Sequence, residues 1–285
     1  MGALIFSFLK ILPKNALSRL VGRLVTLPLP GPLRGWSIRL FASLYHIQLH
    51  EAEKPVEEYA SIGDFFVRRL KDGARPVGNG PYVHPADARI TQVETLQGGD
   101  RAWVKGQFQS VAQLLANDQF GLGDDPEFAQ GTFLTYYLCP TDYHRVHSPV
   151  RGRIEEVRHI PGQLWPVNER SVREIPGLFA VNERVAIRLQ SAWGPVWVIL
   201  VGATNVGKIT LAFDSGIVSN RSGVLKPLRK HYSPALPQEL GQELGQFNMG
   251  STVVVVLGRQ APDWSHFKSL RGTASRVGQP GLKSE

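Results

Sequence analysis

The sequence predicts an α+β protein in which N-terminal amphipathic helices precede a compact, mainly antiparallel β core. Over roughly the first 75 residues, apolar side chains recur at helical spacing. After about residue 80, short β-rich segments alternate with Gly, Pro, Asn and Asp. With 285 residues, 42% of them hydrophobic, the chain is large enough for a packed core. We therefore expect a helical region at residues 1–78 and a β-rich domain at residues 79–285.

Three helices are predicted in the N-terminal region. Pro13 can open the first helix at its first turn, and the proline-rich run at residues 27–32 ends it. A second helix is predicted over residues 36–49, and a short third helix over residues 61–70.

The first fifty residues are basic as well as amphipathic. They contain six Lys or Arg and no acid, since the first acid is Glu51. Arg19 and Arg23 lie beside the apolar stripe of the first helix, and a helix pair packed on the core with a solvated basic face would also give this pattern. Acids would then be expected among the bases, so the pattern favours helices lying on an anionic membrane over nucleic-acid binding. The apolar stripe consists of Leu17, Leu20, Val21 and Leu24.

The chain is expected to lie on a membrane and not to cross it. No segment approaches the roughly 18 uninterrupted apolar residues that span a bilayer. Residues 2–9 are too short for a signal peptide and lack its basic start and small-residue cleavage site. The expected location is therefore the cytoplasmic side of the cell membrane, as a peripheral protein.

The single cysteine, Cys139, excludes an internal disulfide and fits a reducing compartment. It can be a small buried hydrophobe or a nucleophile. Because it precedes Pro140 in an apolar stretch, burial is the favoured interpretation.

The β core is predicted from short apolar segments bounded by turn residues. The polar tail after Pro262 is expected to be loosely ordered. The candidate strands are residues 133–138, 153–159, 185–189, 196–201, 208–213, 216–218 and 252–257.

The most informative single feature is the Gly250-Ser251 bond, which stands at the start of a strongly apolar strand. Glycine leaves its carbonyl unshielded and adopts backbone conformations closed to other residues. The Ser251 hydroxyl could attack that carbonyl, so the chain could cut itself there. Gly-Ser-Thr is also an ordinary turn, so the chemistry requires a base and a group that orients the base.

Two histidines three residues apart, His144 and His147, are the strongest candidates for acid–base groups. As metal ligands they would need a third ligand, and nothing nearby in the sequence completes such a set, so no metal is expected. As ordinary surface histidines they would do no chemistry. Asp87, in the segment that begins at His84, is either a turn former or a carboxylate that fixes a histidine tautomer.

Short motifs recur along nearly the whole chain. In chain order they are residues 65–70 (FFVRRL), 75–76 (RP), 85–87 (PAD), 143–149 (YHRVHSP), 161–164 (PGQL), 167–168 (VN), 182–184 (NER), 201–207 (VGATNVG) and 247–252 (FNMGST). The individual motifs are modest, but their order and spacing together are specific. In these motifs the chain resembles the bacterial phosphatidylserine decarboxylase proenzymes.

The resemblance implies a self-processing enzyme with a covalent pyruvoyl cofactor derived from Ser251. Asp87, His147 and Ser251 would form the processing triad, in which His147 takes the hydroxyl proton and Asp87 orients the imidazole. Cleavage after Gly250 would give a β subunit and a 35-residue α subunit (285 − 250), which stay together as a pair. A dimer of such pairs remains open. The pyruvoyl ketone would form a Schiff base with the substrate amine, as pyridoxal phosphate does elsewhere.

His144 would return a proton to the carbanion formed on decarboxylation, for which a pKa near neutral is expected. The chain departs from the family in two places. Met249 stands where Leu is usual, a change close in volume. Ala88 stands where Gly usually follows the aspartate, and it would be strained if the backbone there required a positive φ.

The implied substrate is phosphatidylserine, converted to phosphatidylethanolamine and CO2 at an anionic membrane surface, which assigns residues 1–78 to the membrane and residues 79–285 to catalysis. Three alternatives differ in class: a pyruvoyl decarboxylase of a soluble amino acid, a lipid-binding module that never matures, and a Ser/His/Asp hydrolase. The last lacks a Gly-x-Ser-x-Gly motif at Ser251. By charge alone, the candidates for gripping the phosphate are Arg68, Arg69 and Arg145.

Overall fold

The computed structural model describes residues 13–104, 107–204, 208–248, 251–261 and 269–281, and of Glu169 and Ser251 it describes the backbone alone. Several sequence predictions lie outside this part of the chain. They concern the apolar start of the chain with Lys10, residues Met249 and Gly250, and most of the tail after Pro262.

Helices occupy the N-terminal region, and four-residue to six-residue helices recur in the connections of the β core. Helix α1 begins directly after Pro13, as predicted. The helices are α1 (Lys14–Thr26), α2 (Gly31–Leu44), α3 (Ile62–Phe66), α4 (Val111–Leu114), α5 (Glu169–Glu174) and α6 (Leu178–Val181).

Strands make up most of the remainder, and every pairing between them is antiparallel. They are β1 (Ala88–Thr95), β2 (Arg101–Val104), β3 (Gln107–Ser110), β4 (Thr132–Leu138), β5 (Arg145–His147), β6 (Gly152–Ile160), β7 (Arg184–Ser191), β8 (Gly194–Val201), β9 (Ile209–Leu211), β10 (Leu228–Gln238), β11 (Glu243–Phe247), β12 (Ser251–Leu257) and β13 (Ala274–Ser275). The predicted fold class, α+β with a mainly antiparallel core, is confirmed.

The strands of the described residues form one large and two small sheets. The large sheet has eight strands in the order β10-β6-β7-β8-β12-β4-β1-β13. A three-stranded sheet, β5-β11-β9, and the β2–β3 hairpin are separate from it. Strand β12 lies inside the large sheet between β8 and β4, which explains its nearly continuous apolar sequence.

Both faces of the large sheet are covered. Since side chains alternate along a strand, Val253 and Val255 pack in one apolar cluster and Val254 and Val256 in another. The first cluster includes Phe247 and other side chains of the three-stranded sheet, so that sheet packs on the large one. The second cluster is closed by the β2–β3 hairpin with α4 and α6.

The N-terminal helices have a small apolar cluster of their own, which includes Ile38, Ala42 and Phe65. They are tied to the β core by polar contacts. The Asn15 side chain donates to the Gly162 carbonyl at 2.8 Å. Whether residue 78 divides two domains stays a prediction.

Four element predictions differ from the structure. The helix predicted over residues 36–49 is α2, which begins at Gly31 because Pro32 is accepted in the first turn, and it ends at Leu44. The strand predicted over residues 208–213 is shorter, and residues 216–218 form a turn with only one bridge, Thr210 to Val218. The predicted third helix is also shorter, with Ser61 as its N-cap, whose side chain accepts from the Asp64 amide.

Candidate active site

The Gly250-Ser251 bond lies where the chain passes from the three-stranded sheet to the large sheet. On one side Phe247, the last residue of β11, donates its amide to the His144 carbonyl at 3.0 Å. On the other side Ser251 opens β12 and faces Leu138 of β4. Facing Cα atoms in such a ladder are roughly 4.5–5.5 Å apart. The segment from Leu138 to His144 is therefore anchored to both flanks of the bond.

His144 is completely buried beside this junction. Its Nδ1 lies 2.8 Å from the Asp142 carbonyl oxygen, which can only accept, so Nδ1 carries the proton. The ring packs on Phe66 of α3 with 4.1 Å between centroids. Its Nε2 has no hydrogen-bond partner among the described residues. The lone pair of Nε2 is thus available to accept a proton.

His147 has the same tautomer, set by a different carbonyl. Its Nδ1 donates to the Gly241 carbonyl at 2.7 Å, and its buried Nε2 is likewise unpartnered in the part of the chain that is described. Gly241 lies in a turn at φ +73°, and an added Cβ there would meet the Val77 side chain at 2.5 Å. Only glycine therefore places this carbonyl without strain.

Burial keeps both rings neutral. It lowers the pKa of His144 to about 3, with a further contribution from the nearby Arg68. It also lowers the pKa of His147, against the opposing effects of the Gly241 carbonyl, Glu243 and Asp87. His147 is therefore poised as a base. The near-neutral pKa expected for His144 is not found, because that expectation did not include complete burial.

Asp87 lies close to His147, but its hydrogen bonds go elsewhere. The His147 amide donates to the Pro85 carbonyl at 2.8 Å, which brings the segment of Asp87 to β5. The Asp87 carboxylate accepts from Arg75, with a shortest distance of 2.6 Å to Nη2, and from the Val277 amide at 2.8 Å. The Asp87 carboxylate is therefore bound to the Arg75 guanidinium and does not make the direct hydrogen bond to His147 that a triad implies.

Arg75 connects this carboxylate to the N-terminal region. It also donates to Glu51, at 3.1 Å and 2.9 Å, and both side chains of that pair are mostly buried. The pKa of Glu51 is lowered by this contact. Arg75 and Gly241 were not singled out as site residues from the sequence, since their roles depend on contacts made far along the chain.

Two sequence expectations, about Cys139 and Ala88 near the site, can be compared directly with the structure. Cys139 is half-buried, and burial raises the pKa of its thiol, which opposes the nucleophile interpretation. Ala88 is absent from the described residues with positive φ, so it carries no strain of that kind.

The three arginines proposed for phosphate binding are in different environments. Arg145 is held by Glu243, at 2.8 Å and 3.0 Å, and by the Val67 carbonyl. Arg68 is buried over the Phe65 ring at 5.1 Å, while Arg69 is exposed. Their role in phosphate binding stays a prediction.

The N-terminal helices expose an apolar surface, here called the apolar face. On α2, Trp36 is 63% exposed and Leu44 68%, with Leu40 between them, and all three lie on one side of the helix at four-residue spacing. On α1, Leu20 and Leu24 are more than half exposed. Among the described residues, no helix combines the length and apolar character that crossing a bilayer requires.

Comparison with known proteins gives a consistent result. The sequence profile described as "Phosphatidylserine decarboxylase" matches residues 62–281. A phosphatidylserine decarboxylase proenzyme of Anaeromyxobacter sp. (strain K) is 39% identical over 281 residues, 97% of this chain and 97% of that protein. The proenzyme of the same name from Myxococcus xanthus (strain DK1622) is 39% identical over 259 residues, 90% of each chain.

These matches, with the fold and the histidine site, define the chain as a decarboxylase, that is, a carboxy-lyase. The chain belongs to the phosphatidylserine decarboxylase family. The resemblance inferred from its sequence motifs is confirmed.

Proposed function

We propose that the chain is a proenzyme that cuts itself between Gly250 and Ser251, and that the mature enzyme converts phosphatidylserine to phosphatidylethanolamine and CO2. The observation that carries this proposal is a pair of histidines of fixed tautomer alongside β11: His144 is bonded to Phe247, near the junction, and His147 lies opposite Glu243, at the other end of β11. Both have the proton on Nδ1 and a bare lone pair on Nε2. A neutral imidazole of fixed tautomer is suited to proton transfer.

In the proposed self-cleavage, His147 Nε2 takes the hydroxyl proton of Ser251 as its oxygen attacks the Gly250 carbonyl carbon. The C–N bond breaks and an ester forms, which frees the amine of residue 251. Loss of the Cα proton then expels the Gly250 carboxylate and leaves dehydroalanine. Water replaces the nitrogen, ammonia departs, and a pyruvoyl group remains. Asp87 acts on His147 by electrostatic attraction and not through a hydrogen bond, since its hydrogen bonds are to Arg75 and Val277.

The pyruvoyl group would stand at the start of β12, opposite Leu138 of β4, and the nearby Phe247 is bonded to His144. Once formed, it supplies the ketone that condenses with an amine and accepts the electrons released by decarboxylation. His144 holds and returns the proton in this step. With Nδ1 bound to the Asp142 carbonyl, only Nε2 can carry that proton. Because the free ring is neutral, its Nε2 takes the proton that the substrate ammonium group loses before it condenses, and returns that proton to the carbon from which CO2 departs.

The apolar face supports a lipid substrate and a peripheral position on an anionic membrane. A decarboxylase of a soluble amino acid would not require large apolar side chains such as Trp36 and Leu44 to be exposed to water. Basic residues next to the face, Arg19 and Arg23, add attraction for an anionic leaflet.

The enzyme proposal is tested with purified protein and phosphatidylserine labelled at its carboxyl carbon. The wild type is expected to separate on a denaturing gel into a large chain and a fragment of about 4 kDa (35/285 of 31.5 kDa), and to release labelled CO2. Ser251→Ala is expected to stay intact and inactive. A wild-type chain that stays whole yet releases CO2 would contradict self-processing.

The membrane proposal is tested by flotation with vesicles of phosphatidylcholine and phosphatidylglycerol. Trp36→Gln and Leu44→Gln are expected to weaken binding, since each removes exposed apolar area from the face. The matched control is Leu228→Gln, an exposed leucine on the edge strand β10. Equal binding of all these proteins would overturn the assignment of the membrane surface.

A further inference from the structure

A cavity of about 580 Å³ lies between α1 and the turn at residues 218–222. Asn248, two residues before Gly250, lines it together with Lys208, whose backbone carbonyl accepts from both the amide and the side chain of Asn248, at 2.9 Å and 3.1 Å. The two walls are joined by Arg19, which donates to the Asn220 side chain at 3.2 Å. We call this space the basic cavity.

The charge of the basic cavity is of one sign. Among the described residues its lining includes four cations and no Asp or Glu: Arg19, Arg23, Lys208 and Arg221. They come from α1, from the residue before β9 and from the turn, so three separate segments bring like charges to one space. Like charges that converge without an acid among them repel one another, and an anionic ligand removes that cost.

The position of the basic cavity links the membrane to the scissile bond. The same helix α1 that supplies Arg19 and Arg23 exposes Leu20 and Leu24 of the apolar face. At the other end, Asn248 continues within two residues to the Gly250-Ser251 bond. A phospholipid has the same order of parts: acyl chains, then an anionic phosphodiester, then the reacting headgroup.

The three arginines favoured from charge alone suit this role less well. Arg145 already has a bidentate carboxylate partner, Glu243. Arg68 is 4% exposed and does not line the basic cavity. Arg69 is exposed but is not part of its lining either.

We propose that the basic cavity binds the phosphodiester of the lipid substrate, with Arg19, Arg23, Lys208 and Arg221 as its cationic ligands. This inference rests on the proposed function and specifies where the headgroup is held. With the phosphodiester there, the amine of the headgroup extends toward residue 251, and the acyl chains lie along Leu20 and Leu24.

Binding is tested directly on the uncleaved Ser251→Ala chain, by titration calorimetry with short-chain phosphatidylethanolamine below its critical micelle concentration. Monomeric lipid removes any contribution from membrane recruitment. The variants Arg23→Gln, Lys208→Gln and Arg221→Gln, each on an exposed side chain, are expected to raise Kd about tenfold, as expected for loss of one charge-assisted hydrogen bond. The control, Arg259→Gln, removes an exposed charge beyond the far end of β12 and is expected to change nothing.

A second measurement uses mature enzyme and monomeric short-chain phosphatidylserine. The three variants are expected to raise KM more than they lower kcat, with self-cleavage unchanged. Wild-type activity with KM and Kd unaltered in all three variants would overturn this inference alone. If the wild type binds the lipid through these residues but releases no CO2, the proposed function is overturned and the assignment of the lipid-binding site stands. Inorganic phosphate that binds as tightly as the lipid would make this a free-phosphate site and overturn the headgroup assignment.

Discussion

The rings of His144 and His147 are each oriented by a main-chain carbonyl, from Asp142 and Gly241. A carbonyl cannot take up the imidazole proton, so both tautomers are fixed and both Nε2 atoms are left as acceptors. The two residues differ in burial, with His144 fully enclosed and His147 partly exposed. The same local arrangement therefore leaves a proton acceptor at Nε2 of each ring, and His144 is the one of the two that is bonded to the flank of the scissile bond.

The first prediction concerns His147 as the processing base. His147→Gln is expected to slow self-cleavage by roughly 10²–10⁴-fold, the usual contribution of a general base. Burial lowers the pKa of His147, so the ring is still neutral somewhat below pH 6.5. The wild-type cleavage rate should therefore begin to decrease only at pH values below 6.5. The measurement is the fraction cleaved against time after refolding at pH 5 to 8. His50→Gln, on an exposed histidine, should cleave normally.

The second prediction separates His144 from cleavage. His144→Gln is expected to cleave at the wild-type rate and to lose decarboxylation by roughly 10²–10⁴-fold, because the proton acceptor and donor at Nε2 is gone. Gel analysis reports the first property and release of labelled CO2 the second. Loss of cleavage in this variant would make His144 a processing residue.

At the scale of elements, the site depends on the register between β11, β5 and β12. Phe247 is fixed to His144 by one backbone hydrogen bond, and Ser251 is fixed to Leu138 by the β12–β4 ladder. Strand β12 is also paired along its length with β4 on one side and β8 on the other, so a slip would break both ladders. Pairing on both sides thus fixes the position of residue 251.

The third prediction concerns the turn before β11. Gly241→Ala puts a side chain at φ +73° and against Val77, at a cost of about 1–2 kcal/mol for the backbone alone. The shifted carbonyl no longer orients His147, so self-cleavage should slow while the fold is kept. The control is Gly223→Ala, which has a positive φ but open space around it. Equal cleavage rates in the two variants would mean that the Gly241 carbonyl does not set the tautomer.

The sequence predicted the apolar strands well and the polar ones poorly. Strands β4, β8 and β12 were found because their cores are apolar and bounded by turns. Strand β10 was not, since it is a largely exposed edge strand that contains Pro234 and Pro237. The short strands β5 and β11, which hold His147 and Phe247, were also missed, because three to five residues carry too little periodicity.

The same limit applies to the site. His144, His147 and Ser251 could be named from motifs, because the chemistry requires those residue types. The hydrogen bonds of Asp87 to Arg75 and Val277 could not, since they join segments 12 and 190 residues apart. Nor could the basic cavity, whose walls are far apart in the sequence.

For the whole molecule, cleavage after Gly250 would leave the smaller chain inside the fold. Its strand β12 is paired with β4 on one side and β8 on the other, and β13 pairs with β1 at the sheet edge. Its Val277 amide also holds Asp87 of the larger chain. The two chains would therefore remain one folded unit.

The fourth prediction is that the protein loses stability as pH falls from 6.5 to 5. Burial lowers the pKa of His84 to about 4 and of His144 to about 3, and lowers that of His147. The unfolded chain, with histidine pKa values near 6.5, binds these protons first, so each group removes up to about 1.4 kcal/mol per pH unit. Asp142, whose pKa burial raises to about 6, offsets part of this.

This prediction is checked by urea unfolding of the Ser251→Ala chain at several pH values. In His84→Gln the slope of unfolding free energy against pH should be shallower by about one proton, whatever the variant's absolute stability. The control is His46→Gln, on an exposed histidine. Identical slopes in all three proteins would contradict the burial of a neutral His84.

The most direct test of the central claim is the intact mass of the two chains in purified wild-type protein. Under native conditions we expect one species that contains both chains, and under denaturing conditions two. The smaller chain should be residues 251–285 with a mass lower by one ammonia than the serine-initiated peptide, as a pyruvoyl terminus requires. A single unmodified chain of 285 residues, or a fragment that begins with ordinary serine, would contradict the account.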